Sequence, residues 1–236
     1  MSRRIVIYLL SFVLCPLSLM AQEDSLQMVQ PRMAKPSIYG GTIVKLDIAS
    51  PIVIPLATKW QVQHYEMAVN VRLAQRFYPT IELGYAGGIR EQGDTVAYRG
   101  QGGFIRLGAD LNPLKKHPES PHALLVGLRF GTAVQAMEQT ENGYTRSLTR
   151  GIRGDCWGEI VAGCQVEIAK VNNTAFYMGW MGRFKFLFTR AQAKSIPTHS
   201  EDDKTQAYIL TPIYIPGYGA RDNIGWGISY HLGWKF

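Results

Sequence analysis

The chain has little cysteine, no long apolar run beyond its first residues and no block of charge of one sign. Each lack removes a class of protein. Three cysteines in 236 residues are too few for a disulfide framework. Cys15 falls in the N-terminal segment. Cys156 and Cys164 lie on what reads as one strand, roughly 26 Å apart at about 3.3 Å per residue, which is too far for a bridge. Two free thiols are therefore expected. No Cys/His spacing fits a zinc site, so no metal and no cofactor is expected. The formal charge is +7, falling to about +5 if Arg3 and Arg4 are removed with a leader. The charges alternate in sign and cluster on no single element, which argues against nucleic acid as a partner. Gly100-Gln101-Gly102-Gly103 and Gly217-Tyr218-Gly219 open no helix and include no lysine, so they are not phosphate loops. No repeat or linker divides the chain.

What is present begins with a leader. Arg3 and Arg4 precede an apolar stretch from Ile5 to Leu14, and Leu19-Met20-Ala21 suits cleavage before Gln22. The stretch is shorter than the ~20 residues of a membrane helix. Phe12-Val13-Leu14 before Cys15 lacks the small residues of a lipidation site. The expected organisation is a signal peptide at 1–21, a periplasmic arm at 22–39 and one domain at 40–236.

That domain alternates. From Ile224 to Phe236, one parity holds Ile224, Trp226, Ile228, Tyr230, Leu232, Trp234 and Phe236, and the other holds Gly225, Gly227, Ser229, His231, Gly233 and Lys235. A period of two puts the large apolar side chains on one face of a strand. Seven more segments read the same way: 40–49, 62–77, 80–86, 104–111, 123–133, 157–168 and 176–188. The first is imperfect, because Ile43 falls on its polar face. The connections alternate in length. A turn at Tyr78-Pro79, the stretch Asn112 to His122 and Val171 to Thr174 are short; 50–61, 87–103, 134–156 and 189–223 are long. Short turns at one end and long loops at the other, with an even strand count, is the pattern of an outer-membrane barrel.

A soluble barrel would alternate as well, with its apolar face inward. The smaller face decides between them. It is rich in glycine and alanine, among them Gly84, Ala86, Gly108, Gly127, Gly163 and Gly179. Small residues suit the crowded interior of eight strands, not a solvated exterior. Aromatics also gather near the strand ends, as membrane interfaces favour. Trp60, Tyr65, Tyr85, Trp157, Phe188 and Trp226 lie toward the long loops, and Phe77, Tyr78, Phe176, Tyr177, Trp234 and Phe236 toward the short turns. The expected fold is all-β, an eight-stranded antiparallel up-and-down transmembrane β-barrel with short periplasmic turns and long outer loops.

The small face then lists the lumen, and its charges have both signs. His64, Glu66, Arg72, Arg106, Arg129 and Arg183 are its weak binding candidates. In so narrow a barrel such charges are expected to pair across strands, because an unpaired buried charge is costly. A closed polar lumen with a structural or surface-recognition role is the first reading. A narrow pore for small solutes and an enzyme acting on outer-membrane lipids are the alternatives. An enzyme would need a nucleophile beside a base. His64 and Glu66 share the lumen, with Ser50, Thr58 or Ser147 as the nearest hydroxyls by parity, and Ser229 with His231 reads as deep toward the periplasm. No spacing marks a nucleophile, so catalytic residues are not assigned. Arg146, Arg150 and Arg153 form a small basic run in an outer loop that could meet lipopolysaccharide phosphates. The half of the last loop that ends in Tyr214-Ile215-Pro216-Gly217-Tyr218-Gly219 either folds onto the barrel mouth or extends a hairpin above it.

The Met20-Ala21-Gln22 leader end, the Tyr214 to Gly219 stretch and Gly179-Trp180 to Lys185 carry a resemblance. With them the chain resembles a family of uncharacterised outer-membrane barrels from Bacteroidota, a domain of unknown function with an eight-stranded barrel like those of OmpA and OmpX. The resemblance covers most of the chain after the leader. It implies the barrel and brings no activity or catalytic residue. Unlike the broader OmpA pattern, no C-terminal peptidoglycan-binding module is expected. The expected setting is the outer membrane of a Gram-negative bacterium, as a monomer. The expected partners are outer-membrane lipids, lipopolysaccharide and, through Phe236, the barrel-assembly machinery.

Overall fold

The computed structural model describes residues 38–74, 76–92, 96–114, 120–141, 143–147, 153–172, 174–189, 215–219 and 223–236. The expected leader, and the arm up to residue 37, lie outside these. Nine strands and one short helix are described: β1 Tyr39–Asp47, α1 Ser50–Ala57, β2 Val62–Leu73, β3 Phe77–Gln92, β4 Val96–Leu111, β5 Ala123–Glu141, β6 Tyr144–Ser147, β7 Arg153–Val171, β8 Thr174–Thr189 and β9 Ile224–Lys235. Each strand pairs antiparallel with its neighbour, and β1 pairs with both β2 and β9. Eight strands thereby close a ring, and β6 attaches outside it to the far end of β5. No helix among the described residues is long and apolar enough to cross a membrane.

Period-two alternation sets the two faces. Lumen positions are closed off: Arg106 is 1% exposed and Glu159 2%. Outward positions are apolar and open: Leu128 is 66% exposed and Trp226 81%. Outward-facing apolar residues recur on all eight strands, from Leu46 and Met67 through Leu83, Leu107, Leu128 and Ile160 to Phe184 and Ile228. The molecule is apolar outside and charged inside, the reverse of a soluble domain.

The lumen has three layers. Toward the short-turn end, Ile43, Tyr78, Ala123, Leu125, Val161 and Met181 form an apolar layer. Ile43, the one irregular residue of the first segment, is therefore a lumen side chain with apolar company. The middle layer carries the charges. Toward the long-loop end, Ala86, Phe104, Ala133, Trp157, Ile215 and Tyr218 form a second apolar layer.

Several sequence expectations need correction. The connections expected at 87–103 and 134–156 are largely strand. β3 and β4 stay paired out to Gln92 opposite Val96, and β5 runs on to Glu141. Backbone pairing continues there after the outward side chains stop being uniformly apolar, and hydrophobic alternation was the only signal read. The turn expected at Tyr78-Pro79 lies earlier, between β2 and β3, with Ala74 at φ 45°. Pro79 sits inside β3, where the β2–β3 ladder skips from Asn70↔Thr80 to Leu73↔Phe77. A proline that cannot donate is tolerated in such a break. Trp157, Tyr78 and Tyr177 belong to no outer girdle, since each is at most 2% exposed and on the lumen face. Trp157 shares the parity of Glu159, which places it inward. The stretch 50–61 contains α1, hidden in sequence by two prolines and three β-branched residues. Pro51 suits a first turn, and Asp47 Oδ1 accepts from the backbone N–H of Ala49 and Ser50 at 3.0 and 3.2 Å. Cys156 and Cys164 are free thiols, as expected.

Candidate functional site

The middle of the lumen is one ion-pair network built from six strands. Three arginines meet four carboxylates. Arg106 Nη1 donates to Glu66 Oε2 at 2.7 Å and to Glu82 Oε2 at 2.9 Å, and its Nε lies 3.0 Å from Glu159 Oε1. Arg129 donates through Nε to Glu82 Oε1 at 3.0 Å and through Nη2 to Asp110 Oδ2 at 2.7 Å. Arg183 reaches Glu66 Oε1 at 2.7 Å, Glu82 Oε2 at 2.7 Å and Glu159 Oε2 at 3.1 Å. Glu82 therefore touches all three guanidiniums. Adding Lys45, Lys185 and Asp47, all buried, brings this set to five cations and five anions. Forked pairs of this kind fix geometry as well as charge.

The upper apolar layer caps the network. Trp157 Nε1 donates to Glu159 Oε1 at 2.7 Å, and Tyr218 packs edge-on against the indole at 5.9 Å. Tyr218 comes from the segment Ile215–Gly219, which lies inside the barrel mouth. Of the two expectations for that stretch, the structure shows the inward one. Arg106 Nη2 donates to Gly217 O at 2.8 Å, and Lys185 Nζ donates to Gly217 O and Tyr218 O at 2.8 and 3.0 Å. Glycine is required at 217: its φ is +77°, and a Cβ there would lie 2.5 Å from the Phe104 ring. At Gly131 a Cβ would lie 2.3 Å from the Trp157 ring, so the absence of a side chain there makes room for the indole.

Beside this cap, at the long-loop end, opens a cavity of about 540 Å³. Its charged lining is His64, Glu66, Arg106, Arg183 and Lys185; its apolar lining includes Ile54, Val62, Trp226 and Ile228. Ser229 lines both this cavity and, with His231, the small space next to it, and His231 stands opposite Asp47 on β1. Sequence reasoning did not find Lys185 or Trp157 as members of this site. Their parity marks them as inward, but nothing local says that a loop tip comes down to meet them.

The candidate residues separate accordingly. His64, Glu66, Arg72, Arg106, Arg129 and Arg183 all lie on the lumen face. Arg72 stands apart from the network, near the short-turn end. Arg146 lies in β6 and Arg153 begins β7, on different strands beside β5, opposite Gln139 and Gln135. Their side chains, and Arg150 altogether, lie outside the described residues. Asp47, His64 and Glu66 bring one ligand atom each to within 4.8 Å of one another, the spacing a metal ion could use. Both Glu66 oxygens already accept from guanidiniums, and a cation would have to compete with Arg106 and Arg183 for them. His64 Nε2 lies 3.4 Å from Glu66 Oε2. Among the described residues no hydroxyl lies within hydrogen-bond distance of His64, although Ser50 and Ser229 line the same cavity. Among the described residues, His64 therefore forms no nucleophile–base pair with a hydroxyl.

A closed eight-stranded barrel with a filled, charged lumen is the class this geometry defines. Residues 3–235 match the family described as Domain of unknown function (DUF6048). The chain belongs to that family. No curated protein matches it.

Proposed function

We propose that the protein is a small outer-membrane barrel of a Gram-negative bacterium, closed to solute flow, with a structural or surface-recognition role. The observation that carries this reading is the inversion of polarity: apolar residues such as Leu128 and Trp226 stand open on the outside, while the charges are buried within. A transmembrane barrel needs an apolar exterior and has no open edges, and this ring closes through β1 and β9. In this reading the long-loop end faces outward and the short turns face the periplasm. The lumen supports closure rather than a pore, since eight strands leave room only for side chains and three layers of them are present.

Tryptophan fluorescence in vesicles tests it. In single-tryptophan variants, lipids brominated on their acyl chains should strongly quench Trp226, which is 81% exposed, and leave Trp157, which is 0% exposed, bright. Planar bilayers containing the same protein should show no steady conductance. Equal quenching at both sites would remove the reading of which face meets lipid, and steady conductance would remove the closed lumen.

A further inference from the structure

The ring of strands has a notch on one side. β1 ends at Asp47, where it meets His231 of β9, and one residue earlier Leu46 meets Met67 of β2. Both neighbours continue past it. Among the described residues, β2 runs on from Glu66 to Val62 paired with β3 alone, and β9 runs from Ser229 to Ile224 paired with β8 alone. A missing strand leaves a gap of about two strand spacings, roughly 10 Å, which is close to the width of a helix. α1 occupies it. This helix has no charged residue, and Ile52, Val53 and Leu56 are exposed on its outer side.

The cavity passes through this notch. Successive residues of a strand point to opposite faces. The cavity is nevertheless lined by Trp226 and Ile228, which face outward on β9, and by Gly227 and Ser229, which face inward. A space that touches both faces of one strand must run around its open edge. One end of the cavity thus meets the outside of the barrel between α1 and β9, and the other meets the charged lumen.

At the inner end is a cation without an anion. Lys185 is 5% exposed, and its Nζ donates to two carbonyls, those of Gly217 and Tyr218. No carboxylate of the described residues lies within ion-pair distance of it. Glu66 lines the same cavity, but both its oxygens are taken by Arg106 and Arg183. An ammonium has three donors, and the hydrogen bonds to described residues use two of them.

We infer that the notch is a lateral portal for a single-chain anionic amphiphile, such as an alkyl phosphate or carboxylate. Its head is held by Lys185 and its tail lies between α1 and β9, against Ile54, Trp226 and Ile228. The volume, about 540 Å³, falls within the range of small-ligand sites. This inference rests on the membrane placement proposed above, because the tail would come from lipid.

The test is native mass spectrometry of the folded protein in non-ionic detergent, titrated with dodecyl phosphate. Wild type should take up one copy saturably, and a hundredfold excess of inorganic phosphate should not displace it. Lys185→Gln should weaken uptake at least tenfold. Ile54→Trp, which narrows the cavity and leaves every charge in place, should do the same. Dodecyl maltoside, with the tail but a neutral head, should not compete. Unsaturable uptake, uptake indifferent to both substitutions, or inorganic phosphate binding as tightly as the amphiphile would overturn the portal. Gel mobility of the same sample, boiled and unboiled, separates the two readings. A heat-modifiable protein that takes no adduct loses the portal alone; one that shows no heat-modifiable fold loses the membrane reading with it.

Discussion

At the scale of single residues, Glu82 is the centre of the lumen. It accepts from Arg106, Arg129 and Arg183, which come from three other strands. Glu82→Gln would keep the volume and remove the charge that three buried guanidiniums share. Breaking a buried pair from one side costs on the order of 3–5 kcal/mol, because it leaves charge uncompensated. The substituted barrel should unfold at clearly lower urea concentration than wild type, and the double variant Glu82→Gln, Arg129→Leu should recover part of the loss. An unchanged midpoint for Glu82→Gln would mean that the network is not as tightly coupled as the distances imply. Much of this layer was legible in the sequence, since Glu66, Glu82, Arg106, Arg129, Glu159 and Arg183 all fall on the small face. Their partners were not legible. Arg183 and Glu66 are far apart in the chain, and only ring closure and strand stagger bring them to 2.7 Å.

At the scale of elements, alternation located all eight barrel strands and misjudged their ends. The strands outlast the apolar pattern at the long-loop end, because pairing between β3 and β4 depends on backbone groups that composition does not report. α1 was missed for the opposite reason. Its sequence argues against a helix, and its position in the gap left by β1 favours one. The upper apolar layer is an element-scale device too, in which glycines on β3, β5 and the inserted segment leave room for Phe104 and Trp157. Gly131→Leu should push the Trp157 indole off Glu159 and destabilise the barrel by about 1–3 kcal/mol, as overpacking does. The urea midpoint measures the loss, and the tryptophan emission should shift as the indole loses its carboxylate. A substitution tolerated without either change would show that the layer has slack.

At the scale of the whole molecule, the fold sorts polarity so that each part needs its surroundings. In the proposed outer-membrane setting the apolar exterior meets lipid, the buried charges meet one another, and the segment Ile215–Gly219 covers them through Arg106 and Lys185. The closed ring and the inverted faces together support the outer-membrane reading. Its most direct test is to separate outer-membrane and soluble fractions of cells making the protein and run each on a gel with and without boiling. The account predicts recovery in the outer membrane and a mobility that changes only on boiling, since detergent alone should not open a ring of strands that β1 and β9 close by pairing. Recovery in the soluble fraction, with the same mobility boiled or not, would contradict it and leave the apolar exterior without its lipid.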